Sequence, residues 1–256
     1  MHLIIKGNGA RRTSCDRPPV SSSPTPYSDK SFAWAVKAGY DEIMGRVWRW
    51  REEEARTFWE EAGKVLEAGG VLAVPTETFY ALAAHPFKEE ALTRLFALKE
   101  RPEEKPVLVL VSGPEMLTQV AREIPEAAKN LMACFWPGPL TIIFPARDNL
   151  PQLLTGGTGT IAVRQPRHDV TLRLLAALGF PVTGTSANRS GQPPLAAAEA
   201  VAAEFRDRVE LILDAGPCPG GLPSTIVDAS RTPPRLVRPG AISTTQLQEV
   251  IADLLL

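Results

Sequence analysis

Several things are scarce or missing in this chain of 256 residues, and each absence removes a class of protein. No apolar run approaches the ~20 residues of a membrane-spanning helix. The opening MHLIIKGNGARR has too short an apolar stretch for a secretory signal, and its charges follow that stretch instead of preceding it. Lys and Arg total 28 against 29 Asp and Glu, so no basic surplus marks a nucleic-acid coat or a membrane-surface binder. Anion binding has to come from locally grouped cations. Cysteine is limited to Cys15, Cys134 and Cys218, odd in number, far apart and without a CxxC pair. That pattern suggests neither a zinc site nor a disulfide framework, and it fits a reducing cytoplasm. Histidine is limited to His2, His85 and His168, none inside a catalytic motif, so each reads as a surface or capping residue. GxxxxGKS/T, a strand-borne GxGxxG, HExxH and GxSxG are all missing. There is thus no P-loop, dinucleotide fingerprint, zinc-peptidase helix or nucleophile elbow.

What remains suits a globular core, with 44% hydrophobic and 22% charged residues. The chain reads in two parts. Residues 1–55 form an N-terminal extension that contains a Pro/Ser linker, RPPVSSSPTP, at 17–26. Beyond it Trp34, Trp48 and Trp50 follow no clean period. That stretch is either a helix packed on the domain or upstream sequence, with Met44 as an alternative start. Residues 56–256 are expected to form one regular domain. Phe58, Trp59, Ala62, Val65 and Leu66 fall on one helical face, and Gly69-Gly70 ends the helix. A second helix turns Leu92, Leu95 and Phe96 inward. Strands are expected at 71–75, 107–111, 140–144, 160–164, 182–186, 211–215 and 224–228, with helices near 171–178, 196–205 and 244–254. VLVLV at 107–111 is apolar throughout, as in a strand covered on both faces. Alternating strands and helices predict an α/β class with a twisted mixed β-sheet flanked by helices.

Six segments concentrate polar residues at element ends. VPTETFYAL (74–82) places Thr76, Glu77 and Thr78 just after a strand, where open α/β sheets bind ligands. Two hydroxyls and a carboxylate can bind the amine and hydroxyl of a small polar substrate; alone, the segment also reads as a capped turn. LKERPEEKP (98–106) packs Lys99, Arg101 and Lys105 between a helix and a buried strand. The guanidinium fork and the ammonium point charges suit a polyphosphate, although a solvated charged turn is the plainer reading. WPGPLT (136–141) is a rigid turn and reads as architecture. TGGTGTIAVRQP (155–166) offers close backbone approach at its glycines, hydroxyls from Thr158 and Thr160, and Arg164 at a strand end. An arginine ending an apolar strand costs desolvation unless it meets an anion, so Arg164 is a candidate grip for a carboxylate; a glycine hairpin with a surface arginine is the alternative. TSANRSGQPP (185–194) turns Ser186 and Asn188 toward a site above the sheet, or is simply a polar turn. STIVDAS (224–230) and LVRPGAI (236–242) supply Ser224 and Arg238, the latter at the end of a strand-like run where a phosphate or only solvent could sit.

In order and spacing, the PTET, KxRP, PGPLT, AVRxP, SANxSG, STxVD and RPGAI blocks resemble the YrdC/Sua5 family of threonylcarbamoyl-AMP synthases over roughly residues 68–242. The resemblance implies a YrdC-like fold with a central cavity, of the single-domain type. It implies an enzyme that forms threonylcarbamoyl-AMP and pyrophosphate from L-threonine, bicarbonate or CO2 and ATP, for the N6-threonylcarbamoyladenosine at A37 of tRNA. Carried over by that resemblance, Thr78, Arg164 and Ser224 contact L-threonine. Lys99, Arg101, Lys105, Thr160, Ser186, Asn188 and Arg238 hold ATP, with Lys99 and Arg101 as the catalytic cations. Mg2+ accompanies the triphosphate, and no carboxylate set for a protein-held metal is apparent. The implied partners are these substrates, a downstream tRNA threonylcarbamoyl transferase complex and a tRNA or double-stranded RNA contact, with no membrane. No side chain is an obvious general base, so positioning and electrostatics are expected to carry the reaction.

Three residues depart from the family pattern. Ala81 and Glu100 stand where the family usually has glycine, and Thr185 stands where proline often precedes SAN. Two rival readings remain. One is a carbamoyltransferase-like relative, as in the related domain of hydrogenase maturation proteins, whose larger chains carry zinc-type Cys pairs and an acylphosphatase-like part not found in this sequence. The other is a non-catalytic RNA-binding module.

Overall fold

The computed structural model describes residues 46–100 and 105–256, apart from the side chain of Asp207. The Pro/Ser linker, Trp34, Met44 and Arg101 lie outside the described residues. In chain order the elements are β1 (Arg46–Arg49), α1 (Ala55–Glu67), β2 (Leu72–Val74), β3 (Ala81–Ala83), α2 (Glu89–Lys99), β4 (Val109–Leu110), α3 (Pro114–Leu117), α4 (Glu126–Phe135) and β5 (Leu140–Pro145). Then follow α5 (Gln152–Thr155), β6 (Thr160–Arg164), α6 (Asp169–Leu178), β7 (Val182–Thr183), β8 (Thr185–Ser186), α7 (Ala198–Phe205), β9 (Leu211–Asp214), β10 (Thr225–Asp228), β11 (Arg235–Arg238) and α8 (Thr244–Val250).

The strands form two mixed sheets, ordered β1-β9-β2-β3-β8 and β11-β10-β5-β6-β4-β7. The α/β class and the mixed sheet expected from the sequence are both present, but the sheet is two sheets. They are joined where the sequence suggested one strand at 182–186. β7 pairs with β4 in the larger sheet, while β8 pairs with β3 in the smaller. Gly184 lies between them, and a Cβ there would come within 2.4 Å of Leu110 Cγ. Only glycine lets the chain cross so close to β4.

Helix α1 buries Phe58, Ala62 and Leu66 of the expected face together with Ala55, while Trp59 and Val65 are half-buried. Trp48 meets Phe58 edge-on at 5.5 Å, and Trp50 stacks on Trp59 at 4.9 Å. These aromatic contacts seat β1, which pairs in parallel with β9. The regular fold therefore extends N-terminal of Arg56, where the domain was expected to begin. Cys218 is free and buried. Among the described residues no helix is long and apolar enough to cross a membrane.

Helix α2 ends on Glu100 in the left-handed conformation, at φ 52° and ψ 43°. Here the usual glycine has a physical reason, because a side chain costs about 1–2 kcal/mol at such a position. Ala81 is different: it is an ordinary strand residue without positive φ. The Glu100 carboxylate lies 3.1 Å from Arg189, an exposed pair contributing about 0–1 kcal/mol. Glu100→Gly is therefore expected to leave the unfolding free energy unchanged or raise it by up to ~1 kcal/mol in urea titrations. A loss of more than that would show the ion pair outweighs the backbone strain.

Candidate active site

The six-stranded sheet has one covered face and one half-open face. Strand alternation and the pairing of Ile143 with Ala162, Pro145 with Thr160 and Ile226 with Arg238 define the two sets. Ile142, Phe144, Ile161, Val163 and Val227 lie on one side, all at 0% exposure. Each such burial contributes roughly 1.5–3 kcal/mol. Ile143, Thr160, Ala162 and Ile226 lie on the other side and stay only half-buried. Arg164, Thr141 and Arg238 share that side by the same alternation. Thr160, Arg164 and Arg238, three of the polar residues singled out from the sequence, thus lie on the less fully buried face of this sheet.

Arg164, at the end of β6, is 5% exposed. Its Nε donates to the Gly138 carbonyl at 3.2 Å and its Nη2 to Thr78 Oγ1 at 3.2 Å. Glu77 Oε1 stands 2.7 Å from Nη2. That contact is an ion pair without hydrogen-bond alignment, since both Glu77 oxygens lack a hydrogen-bond partner among the described residues. The PTET loop is shaped by Thr76, whose hydroxyl accepts from the Thr78 and Phe79 amides at 3.1 and 3.2 Å and donates to the Phe79 carbonyl at 2.7 Å. Thr78 Oγ1 is 3.0 Å from Thr76 Oγ1. The hydroxyls therefore run as a relay from the guanidinium through Thr78 and Thr76 to a carbonyl, each donor polarising the next. The WPGP turn, read as architecture, also positions Arg164 through the Gly138 carbonyl. No side-chain signal marks such a backbone acceptor.

Ser224 and Arg238 form the neighbouring pair. Ser224 Oγ is 2.8 Å from Thr141 Oγ1, and Arg238 Nη2 donates to the Ser224 carbonyl at 2.7 Å. Gly240 permits this fold-back, because a Cβ there would lie 2.3 Å from the Pro223 carbonyl oxygen. Surrounding protein and then the Arg164 guanidinium lower the pKa of Arg238. The Arg164 guanidinium thus acts on Arg238, and two cations near one surface favour an anion.

The third group is Lys99 with the SAN loop. Lys99 is 2% exposed, and its Nζ donates to the Ser186 carbonyl, to the Asn188 carbonyl at 2.7 Å and to Asn188 Oδ1 at 3.3 Å. Ser186 Oγ donates to the same Oδ1 at 2.5 Å. A buried ammonium has to be satisfied by such acceptors. These bonds tie Lys99, which the resemblance implied as a catalytic, ATP-holding cation, to the loop that carries Ser186 and Asn188. The SAN and PTET loops are zipped together, since the Ala187 amide donates to the Tyr80 carbonyl and the Tyr80 amide to the Leu195 carbonyl. The remaining candidates stand apart. Lys105 is exposed beside residues 101–104, which include Arg101 and are not described. Thr160 begins β6, ~13 Å along the strand from Arg164, and its hydroxyl meets that of Thr158 at 2.9 Å. A ligand reaching both ends would lie along the half-open face. The TGGTG glycines fold into a turn closed by Thr158 Oγ1 on the Thr155 carbonyl at 2.8 Å. No group of three or more metal-ligating side chains occurs among the described residues.

Fold and site together define an α/β protein with two mixed sheets and with Arg164 and Arg238 at strand ends of the larger one. A family model for the Sua5/YciO/YrdC domain, described as telomere recombination, matches residues 64–240, and the chain belongs to that family. A threonylcarbamoyl-AMP synthase of Pyrococcus abyssi is 37% identical over 212 residues, covering 83% of this chain and 60% of its own length. The corresponding Bacillus subtilis enzyme is 37% identical over 195 residues, covering 76% of this chain and 56% of its own. The crystal structure of P. abyssi Sua5 complexed with L-threonine superposes with a TM-score of 0.76 at 37% identity, over 82% of this chain and 61% of that one. The chain thus spans about three fifths of the length of these relatives.

His168 caps α6, and its Nδ1 accepts from the Thr171 amide at 3.5 Å, while Thr171 Oγ1 donates to the Pro75 carbonyl at 2.7 Å. This brace steadies the entry to the PTET loop. Burial lowers the pKa of His168, and also of His85, below the ordinary imidazole value. The unfolded chain then binds protons that the folded chain refuses, so stability is full above pH ~6.5 and declines as pH falls below it. Thermal unfolding should show a lower midpoint at pH 5.5 than at pH 7.5, with a shallower slope in His168→Asn. A midpoint that rises on acidification would contradict the burial of neutral imidazoles.

Proposed function

We propose that this chain is a nucleotidyltransferase that makes threonylcarbamoyl-AMP from L-threonine, bicarbonate or CO2 and ATP, supplying tRNA N6-threonylcarbamoyladenosine synthesis. The observation that carries this reading is the convergence of Arg164 and Arg238 on one half-open sheet face, with Thr78 and Ser224 bonded to them. The likeness to a Sua5 complexed with L-threonine supports it. In this reading Arg164 and Thr78 take the threonine carboxylate, with Ser224 beside it. Arg238, the Ser186–Asn188 loop, Thr160, Lys105 and Arg101 face ATP, and Lys99 acts by fixing the loop. The unprotonated threonine amine attacks the bicarbonate carbon and water leaves, giving a carbamate. A carbamate oxygen then attacks the α-phosphorus of ATP, and pyrophosphate leaves with its bonding electrons. Charge grows on phosphoryl oxygens, so fixed cations stabilise the transition state more than the ground state. Mg2+ carried by the triphosphate would neutralise part of that charge. The reading places the chain in the cytoplasm, where a tRNA threonylcarbamoyl transferase would consume the adenylate.

Pyrophosphate release is expected to require ATP, L-threonine and bicarbonate together, and to be far slower with L-serine. Arg238→Ala, at a partly open position, should lower the rate by about 100-fold or more with the fold intact. Release that ignores threonine would contradict the assignment. Turnover of carbamoyl phosphate in its place would favour the carbamoyltransferase reading, and salt-sensitive RNA binding without turnover would favour the RNA-binding one.

A further inference from the structure

Glu77, the charged group beside Arg164, is left without a task by the proposed reaction. Its side chain is 14% exposed, yet neither carboxylate oxygen has a hydrogen-bond partner among the described residues. An ionised carboxylate offers about four acceptor directions, and leaving them unused in a buried place is costly. Among the described residues its one ion-pair partner is Arg164, at 2.7 Å and out of line. The other groups facing it bring no cation at neutral pH. Burial lowers the pKa of His168, and it pushes the Cys218 thiol up to about 11. An unfilled acceptor beside a guanidinium has the charge pattern of a free amino acid in reverse.

We propose that Glu77 binds the ammonium group of the amino-acid substrate, so that Glu77 and Arg164 together form a receptor for a zwitterion. The proposal rests on the reading of the site as one for L-threonine. The substrate carboxylate takes the Arg164 guanidinium, with the Thr78 hydroxyl turned from Thr76 toward it, and the substrate ammonium takes the acceptors that Glu77 does not use. The pair then exchanges one misaligned contact for two aligned ones. Glu77 so placed also selects amino acids over hydroxy acids of the same shape.

The test is calorimetric binding of L-threonine and of 3-hydroxybutyrate, which keeps the carboxylate and the hydroxyl but lacks the amine. The full chain should bind L-threonine about tenfold or more tightly than 3-hydroxybutyrate. Glu77→Gln should lose most of that preference by weakening threonine alone, with binding of an ATP analogue unchanged. A variant that keeps the preference overturns the role of Glu77. Should Glu77→Gln not fold, the unsubstituted chain decides: equal affinity for the two ligands overturns the ammonium site. No binding of L-threonine at all would instead remove the threonine reading, and the present inference with it.

Discussion

A guanidinium taken almost wholly out of water is the constraint around which this molecule is arranged. Arg164 ends a strand whose inward partners are aliphatic, and the fold meets its donors from two separate turns, the PTET loop and the WPGP turn. Burying such a charge is tolerable only when its hydrogen bonds are made and a countercharge stands near. Gly138, Thr78 and Glu77 meet those conditions incompletely, because Glu77 is poorly aligned. The shortfall is chemically useful. A well-aligned carboxylate from a ligand can compete with a misaligned one from the protein.

The rest of the architecture gathers other polar residues near that charge. The larger sheet is sealed by helices on one face and half-open on the other, and the register places Thr160, Thr141, Arg164 and Arg238 on the open side. The smaller sheet brings the SAN loop to the same rim through the Gly184 crossing and the zipper between Tyr80, Ala187 and Leu195. Binding determinants far apart in sequence come together because strand ends and crossings are where a packed α/β layer runs out of partners.

Much of this was legible in the chain. β5 and β6 show their strand character in LTIIF and TIAVR, and α1 shows its face in the spacing of Phe58, Ala62 and Leu66. β1, β3 and β11 were not, for two different reasons. RVWR and RLVR are edge strands that leave most positions exposed, so no alternation appears, and ALA is only three residues long with alanine at two of them, a residue depleted in strands. Of the site, Thr78, Arg164, Ser224 and Arg238 could be picked out as polar residues at strand ends. The direction of Lys99 could not, because helix spacing does not say whether an ammonium meets solvent or the carbonyls of a distant loop. The Gly138 carbonyl and the misaligned Glu77 pair leave no trace in residue type at all.

The proposed reading of Arg164 and Arg238 rests on their placement at strand ends of one sheet and on the family match over residues 64–240. Its core is a spatial claim: a zwitterion and a nucleotide lie side by side on the half-open face of the larger sheet. The most direct measurement is a crystal structure of this chain with L-threonine and a non-hydrolysable ATP analogue. The account predicts the threonine carboxylate on Arg164 and Thr78, with the phosphate chain reaching Arg238 across the same face. Either ligand bound away from that face, with Arg164 still paired only to Glu77, would contradict it.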